Sequence, residues 1–364
     1  MRVTTLTRRG LVGAAAAAAV LGAAQPAFAA GSGAVYALSN ETQNAVITFD
    51  RGADGSLRQR SATLTGGAGS NAGLGTQSAL VRSHGFVLAV NAGSNSVSVF
   101  RVGRHGLRLA DVQASGGSRP VSVSIRGGLV YVLNAGAGGN VSGFRLTEHG
   151  NLKPIAGSTR ALPSVDAGPA QVAITPDGNG LVVTEKNTNT IDTLPLRHDD
   201  RPGAGTAHPS NGLTPFGFSF GSRDTLIVSE AAGGAALASS ASSYDLRHGG
   251  LATISGSVPT LQTAACWLVT TADGRYAFTT NAGSDSVSTF TVSHAGELSL
   301  LHSDSAGAGA HPTDAALSRG DRFLYTLDAF THQVTGFRVA GNGNLTSLGA
   351  AGTLPASASG LVAR

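Results

Sequence analysis

The sequence predicts an all-β fold, a seven-bladed β-propeller, from a repeat and from its short apolar runs. Seven times an apolar, strand-like run ends in a polar or acidic residue, and a short turn then leads into a second apolar run. Successive end points are 51, 43, 51, 45, 51 and 47 residues apart, a mean of 48. Repeats of this length built from short β segments are typical of propeller blades. We call these end points the strand-end residues: Asn40, Asn91, Asn134, Glu185, Glu230, Asn281 and Asp328.

One repeat, residues 119–157, shows the content of a blade. Its apolar runs VSVSI (121–125), LVYVLN (129–134), NVSGFRL (140–146) and NLKPIAG (151–157) are separated by Gly-rich turns. Alternating or β-branched runs bounded by Gly and Asn indicate short strands. The repeat therefore predicts four strands per blade.

The two ends of the chain are predicted to share the first blade. The run AVYALSN (34–40) matches the second strand of a blade, and no first strand precedes it. The segment SASGLVAR (357–364) resembles QSALVRS (77–83), which opens the next blade. We expect residues 357–364 to supply the missing strand and to close the ring, which removes open sheet edges.

Residues 1–29 are predicted to be a signal peptide, which leaves 30–364 as a single propeller domain. Arg8 and Arg9 precede an Ala-rich apolar run, and Ala27-Phe28-Ala29 offers small residues for cleavage. The paired arginines favour twin-arginine export, with an ordinary secretory signal as the alternative. We expect a secreted protein without membrane contact after cleavage, because no other run reaches the length of a membrane span.

Composition excludes several classes of function. Three of the 25 Lys and Arg lie in the first 29 residues, so 22 remain against 21 Asp and Glu. With no basic cluster interleaved with aromatics, we expect no nucleic-acid partner. The one cysteine, Cys266, excludes an internal disulfide. No motif with metal-ligand spacing appears, so we expect no metal and no cofactor. We also expect the protein to be a monomer.

A propeller of this kind places its site at one end of the central channel. The loops that enter the inner strands and the loops after the second strands open on the same face, a concave surface suited to a ligand. The predicted ligand-binding residues come from both sets: Gln77, Gln171, Phe216, Trp267 and Asp314 from the first, and Asn91, Asn134, Asn281 and Asp328 from the second. The alternative for the Asn-Ala-Gly triplets is turn formation, and for Trp267 it is core packing.

Four residues are the predicted catalytic groups. Glu185 and Glu230 replace Asn at the repeat position, where a turn does not require Glu, and either could be a general base. Arg119 could stabilise a carboxylate or oxyanion, and His311 could be the acid. The alternatives are a salt bridge between a glutamate and Arg119, and a loop histidine bonded to backbone.

Several motifs resemble the lactonase-type seven-bladed propellers over residues 34–364. These are the Pro-Asp-Gly turn at 176–178, Asn-Ala-Gly at 91–93, Val-Ser-x-Phe at 97–100 and His-Pro-Thr-Asp at 311–314. That family includes propeller-type 6-phosphogluconolactonases and 3-carboxy-cis,cis-muconate cyclases. The resemblance implies lactone hydrolysis or the reverse cyclisation, with a lactone or sugar-acid-like ligand.

The sequence also departs from that family. The entry motifs Arg119-Pro120-Val121 and Gly168-Pro169-Ala170-Gln171 lack the histidine common in family enzymes, and Glu185-Lys186-Asn187 replaces Asp-Leu-Gly. Two hypotheses remain open. The first is a secreted lactonase-like hydrolase or cyclase. The second is a non-catalytic secreted propeller that binds a small ligand, a cell-wall fragment or a protein through the same face.

Overall fold

The computed structural model describes Met1, residues 33–246 and residues 250–364. This part of the chain forms seven antiparallel sheets, each with an inner, a second, a third and an outer strand. The prediction of a seven-bladed propeller is therefore confirmed. Apart from Met1, the predicted signal peptide lies outside the described residues.

The strands of blades 1 to 4, numbered in chain order, are given from the inner strand outward. Blade 1 contains β29 (Leu361–Ala363), β1 (Ala34–Leu38), β2 (Ala45–Arg51) and β3 (Leu57–Leu64). Blade 2 contains β4 (Leu80–Ser83), β5 (Phe86–Asn91), β6 (Ser96–Gly103) and β7 (Gly106–Ala114). Blade 3 contains β8 (Pro120–Arg126), β9 (Leu129–Asn134), β10 (Asn140–Leu146) and β11 (Leu152–Pro154), with β12 (Arg160–Ala161) also paired to β10. Blade 4 contains β13 (Pro169–Ile174), β14 (Gly180–Glu185), β15 (Thr190–Pro195) and β16 (Thr206–Pro209).

Blades 5 to 7 follow the same order. Blade 5 contains β17 (Pro215–Phe220), β18 (Thr225–Glu230), β19 (Ser240–Asp245) and β20 (Ala252–Pro259). Blade 6 contains β21 (Ala265–Thr270), β22 (Tyr276–Asn281), β23 (Ser286–Val292) and β24 (Leu298–Ser305). Blade 7 contains β25 (Pro312–Leu317), β26 (Phe323–Asp328), β27 (Gln333–Val339) and β28 (Leu345–Ala351). Three short 3-10 turns lie at Ser222–Asp224, Ala232–Gly234 and Ala282–Ser284.

The ring is closed by strands from both termini, as the sequence predicts. β29 pairs antiparallel with β1, with Val35 opposite Ala363 and Ala37 opposite Leu361. The carboxylate of Asp314, on the inner strand of blade 7, accepts a hydrogen bond of 2.9 Å from the Leu361 backbone N–H. The closing strand is thus held on both sides.

The disc has two faces. We call upper the face that carries the loops entering the inner strands and the loops between second and third strands. The lower face carries the hairpins between first and second strands and between third and outer strands. The core lies between blades, where large side chains such as Tyr131, Phe278 and Phe290 are fully buried. Hydrophobic burial between neighbouring sheets is what stabilises such a stack.

A residue with positive φ stands at the entry to every inner strand. These residues are Ser78 (66°), Arg119 (56°), Gly168 (52°), Thr214 (59°), Ala264 (55°), His311 (50°) and Gly360 (86°). Here the chain turns sharply from one blade into the next, and the left-handed conformation that this requires is costly for residues other than Gly. Two predicted catalytic residues, Arg119 and His311, occupy this strained position.

Among the described residues, no helix has both the length and the apolar character needed to cross a membrane.

Candidate functional site on the upper face

The upper end of the central channel is filled by the segment Leu74–Gln77, which we call the plug. Gln77 opens blade 2, yet its side chain reaches blade 6, where Nε2 donates to the Leu268 carbonyl at 2.8 Å and Oε1 accepts from the Leu268 N–H at 2.9 Å. Its own N–H donates to the Ala170 carbonyl in blade 4. The plug therefore ties together blades on opposite sides of the channel.

The rest of the plug explains why three predicted ligand residues are buried. Trp267 is 5% exposed, and its Nε1 donates to the Thr76 carbonyl at 2.9 Å. Phe216 packs on Trp267 with ring centroids 4.9 Å apart. Gln171 makes the same paired contact as Gln77, but to Phe218 of the adjacent blade, at 3.0 and 2.7 Å. These buried side chains therefore pack within the upper part of the channel.

The strand-end residues are all buried, at 0 or 1% exposure. Each bonds within or beside its own blade. Asn91 Nδ2 donates to the Ser96 and Ser98 hydroxyls at 3.1 and 2.7 Å, and Asn281 repeats this with Ser286 and Ser288 at 3.0 and 2.9 Å. Their side chains thus tie the second strand to the third.

The strand-end residues Asn134, Asp328 and Asn40 also form hydrogen bonds within or beside their own blade. Asn134 Nδ2 donates to Asn140 Oδ1 at 3.0 Å, and Asp328 accepts from the hydroxyls of Thr326 and Thr335. Asn40 bonds to the chain at Ser70 and Ala72. The concave rim expected from Asn91, Asn134, Asn281 and Asp328 is therefore not formed by these side chains, because buried amides and carboxylates must pair within the fold. Their ligand-binding roles stay predictions.

Glu230 lies at the centre of a ring of donors. Its carboxylate accepts from the Gly212 N–H at 2.8 Å and from the hydroxyls of Ser210, Ser240, Ser242 and Ser257. Because Glu230 is 0% exposed, these bonds satisfy a polar group that has no access to water. The serine-rich stretch of blade 5 thus serves this carboxylate.

Glu185 has a different environment in blade 4. Its Oε2 accepts from the Thr188 and Thr190 hydroxyls at 2.6 and 3.1 Å, and its Oε1 faces the buried carboxyl of Asp192. Burial, followed by the neighbouring Glu185 carboxyl, raises the pKa of Asp192 to about 9. Neither glutamate forms an ion pair with Arg119 within the described ranges.

The accessible polar group above the plug is Lys186, which the sequence did not single out as a site residue. Its ammonium donates to the Gly75 carbonyl at 2.7 Å and lies 4.9 Å from the Phe216 ring centroid. Burial, and in smaller part the charge of Arg119, lowers the pKa of Lys186. Arg119 is exposed at the entry to the inner strand of the neighbouring blade 3, on the same face as Lys186.

Two further groups complete the upper face. His311 is half-buried, and its ring stacks on the exposed Phe330 with centroids 4.1 Å apart. The thiol of Cys266 is buried beside the plug, and burial raises its pKa to about 12, so it remains a neutral thiol.

Below the plug the channel is open space. A cavity of about 310 Å³ begins at Gln77 and Asp314 and extends to Arg82, Leu317 and Ala363. The structure therefore brings together two predicted ligand residues, Gln77 and Asp314, on the side away from Lys186. Asp314 is 2% exposed, and burial raises its pKa to about 8. No group of three or more metal-ligating side chains occurs among the described residues.

The family follows from a comparison with known proteins. The model of the family described as lactonase, 7-bladed β-propeller, matches residues 25–164 and 250–359. The chain belongs to this family. The unmatched stretch between these segments holds Glu185, Lys186 and Glu230, in two of the three blades where the repeat departs from Asn. No curated protein matches the chain.

Solved structures share the fold at low identity. A candidate 6-phosphogluconolactonase of Bacteroides fragilis is 19% identical with a TM-score of 0.72, over 92% of this chain and 98% of that one. The periplasmic gluconolactonase of Pseudomonas aeruginosa is 19% identical with a TM-score of 0.69, over 90% and 99%. A Lactobacillus plantarum protein is 16% identical with a TM-score of 0.73, over 91% and 99%.

Proposed function

We propose that this protein hydrolyses a lactone ring on its upper face, at the mouth defined by Lys186 and Arg119. The observation that carries the proposal is the Lys186 ammonium, fixed between the Gly75 carbonyl and the Phe216 ring. A cation fixed before the substrate arrives stabilises the oxyanion of the tetrahedral intermediate without reorganisation. Membership of the lactonase family supports this reaction class.

The two cations have complementary parts in the proposal. Lys186 faces the reacting carbonyl, and Arg119 binds the carboxylate that ring opening produces, since a guanidinium pairs with a carboxylate through two parallel bonds. His311, on the same face, transfers the proton between the attacking water and the leaving ring oxygen. Water adds to the carbonyl carbon, the ring C–O bond breaks, and one proton of the water ends on the leaving oxygen. The carboxylic acid that forms releases the other proton to solvent and becomes the carboxylate.

Glu185 and Glu230 receive no step in this mechanism. Their catalytic roles stay predictions, and their full burial and bonds to blade hydroxyls favour a part in the fold. The substrate class that we propose is a sugar-acid-like lactone. The names of two structural neighbours, a gluconolactonase and a candidate 6-phosphogluconolactonase, support that class.

The decisive experiment is acid release from a panel of sugar-acid lactones, followed by pH-stat titration. We expect the wild type to exceed spontaneous hydrolysis and Lys186→Met to lose about 100-fold in kcat/KM, the scale of losing one oxyanion donor. Lys153→Met is the matched control, because Lys153 is exposed on β11 at the lower face. A wild type inert on every lactone, or a fully active Lys186→Met, overturns the proposal.

Arg119→Gly separates binding from folding. Arg119 has a φ of 56°, which Gly adopts without strain, so this variant should be at least as stable as the wild type. We expect a lower kcat/KM for the lactone, with an unchanged or higher melting temperature, because the guanidinium acts on the carboxylate that forms as the ring opens. An unchanged kcat/KM would remove Arg119 from the site.

We further propose that the protein acts outside the cytoplasm after twin-arginine export. The Arg8-Arg9 pair and the periplasmic location named for the Pseudomonas relative support this. Cell fractionation tests it: Arg8→Lys with Arg9→Lys should retain the protein in the cytoplasm. Export of that variant at the wild-type level would point to an ordinary secretory signal.

A second candidate function is ligand recognition without catalysis. The buried glutamates and the plugged channel favour it, because a binding surface needs no open catalytic cavity. A monomeric protein inert on lactones, yet stabilised in melting by a carbohydrate or a peptide, would support this candidate over the hydrolase.

A further inference from the structure

Three arginines surround the lower end of the channel. Arg82 lies on β4, Arg319 follows β25, and Arg364 follows β29. These are the inner strands of blades 2, 7 and 1, which are neighbours once β29 closes the ring. The three side chains therefore start from adjacent positions around one opening.

The opening leads into the cavity beneath the plug. Its volume, about 310 Å³, is at the lower end of the range for small-molecule sites. Arg82 lines this cavity directly, as do Leu317 and Ala363. Because Gln77 occupies the upper end, the lower end is where a ligand would enter.

The positive charge at this opening lacks a matching carboxylate. Arg82 is half-buried; its Nη2 donates to the His84 carbonyl at 3.2 Å, and its buried Nε has no partner in the described part of the chain. Burial, then the charges of Arg364 and Arg319, lowers the pKa of Arg82. None of the three forms an ion pair with an Asp or Glu side chain of the described residues.

The one acid within the cavity does not compensate. Burial raises the pKa of Asp314 to about 8, so its carboxyl is largely protonated at neutral pH. Several other arginines of the lower face pair with acids there, such as Arg60 with Asp50 and Arg145 with Asp200. The three arginines at the opening have no such partner among the described residues.

We propose that the lower end of the channel binds a phosphate dianion, free or as a phosphate monoester, through Arg82, Arg319 and Arg364. Guanidinium groups present planar pairs of donors that match phosphate oxygens. A dianion would pair with the orphaned Arg82 Nε and offset the repulsion among three cations. This site lies on the face opposite Lys186 and does not depend on lactone hydrolysis.

Titration calorimetry of the folded protein with inorganic phosphate at pH 7.5 tests the site. Sodium chloride at matched ionic strength corrects for general screening. We expect one phosphate per chain, and an affinity reduced about tenfold or more in Arg82→Gln, since one charge-assisted bond is lost. If Arg82→Gln disturbs folding, Arg319→Gln provides the same test, because Arg319 lies in an exposed turn.

Arg104→Gln is the matched control. Arg104 is exposed in the hairpin between β6 and β7, on the same lower face but at the outer side of blade 2, away from the channel. Unchanged phosphate affinity in this variant, with weakened binding in the other two, supports the site. Phosphate heats equal to those of sodium chloride, or equal affinity in Arg82→Gln, Arg319→Gln and wild type, would overturn it.

Discussion

Asp192 and Glu185 are two buried carboxyl groups that act on each other inside blade 4. Both are fully buried, and burial together with the neighbouring Glu185 carboxyl raises the pKa of Asp192 to about 9. On β15, Thr190 pairs with Glu185 of β14, and Asp192, two residues further along β15, pairs with Val183. Residues two apart on a strand point to the same side, so Asp192 and Glu185 are diagonal neighbours on one face of the sheet. Ser98 and Ser288 are the corresponding residues seven positions after Asn91 and Asn281. Blade 4 thus replaces an amide–hydroxyl pair with two acids.

Replacing Asp192 by Asn should flatten the pH dependence of stability. The folded pKa of Asp192 is raised, so the folded state keeps a proton that the unfolded chain releases above about pH 4. Wild-type stability therefore falls as the pH rises above this value, by up to about 1.4 kcal/mol per pH unit from this group. In Asp192→Asn the amide donates to Glu185 at every pH, so the variant should gain over wild type from pH 5 to pH 8.

Urea unfolding at several pH values measures that difference. Asp314 and Asp328, with pKa values raised by burial to about 8 and about 7, contribute the same slope to both proteins and cancel. Asp192→Ser, which copies Ser98 and Ser288, is the control for losing the charge without gaining an amide. Parallel pH profiles for wild type and Asp192→Asn would show that no proton is held there.

Glu230→Gln should unfold more easily, whatever its effect on activity. The change turns an acceptor with several donors into an amide whose NH₂ faces the Ser240 or Ser242 hydroxyl. Loss of these hydrogen bonds, with a buried amide donor left facing another donor, costs about 3 kcal/mol in unfolding free energy. Glu41→Gln, an exposed glutamate after the strand end of blade 1, should cost nothing measurable. Lost turnover at wild-type stability would instead restore Glu230 as a catalytic residue.

The blades and their closure are predictable from the sequence because they depend on a local pattern of apolar and turn residues. That pattern recurs in each of the seven repeats. The site depends on long-range contacts that periodicity does not contain. Glu185 is a catalytic candidate in the sequence because a turn does not require Glu at that position. In the folded blade its neighbour is the buried carboxyl of Asp192, seven residues further along the chain. Gln77 was expected to face a ligand, and only the folded ring places Leu268 opposite it. Lys186 departs from the family motif in the sequence, but its position over Phe216 depends on how blades 4 and 5 pack together.

Gln77→Ala should destabilise the channel as a whole. The change leaves both the N–H and the carbonyl of Leu268 without partners in a buried site, at a cost of about 2–4 kcal/mol. Gln171→Ala, which removes the same pair of bonds to Phe218, is the matched variant between adjacent blades. Hydrogen exchange should accelerate at the Leu268 amide in the first and at the Phe218 amide in the second. Protection of Leu268 unchanged by Gln77→Ala would contradict the plug.

Deleting residues 357–364 should abolish cooperative folding. The deletion removes β29, so β1 becomes an open inner edge and the Asp314 carboxyl loses the Leu361 N–H. The Ser357 hydroxyl, which donates to the Ser39 carbonyl at 2.8 Å, is lost as well. We expect no calorimetric transition near the wild-type melting temperature. A synthetic peptide of residues 357–364 should restore it by adding a strand, whereas a scrambled peptide should not.

A circular permutant distinguishes closure from mere chain length. Arg364 N–H donates to the Ala34 carbonyl at 2.8 Å, so residues 33 and 364 can be joined by a short linker with new termini in an exposed loop. The joined chain should melt at or above the wild-type temperature, because a linker that connects β29 directly to β1 reduces the entropy of the unfolded state. A truncated chain that melts cooperatively near the full-length temperature would contradict the role of β29 in closure.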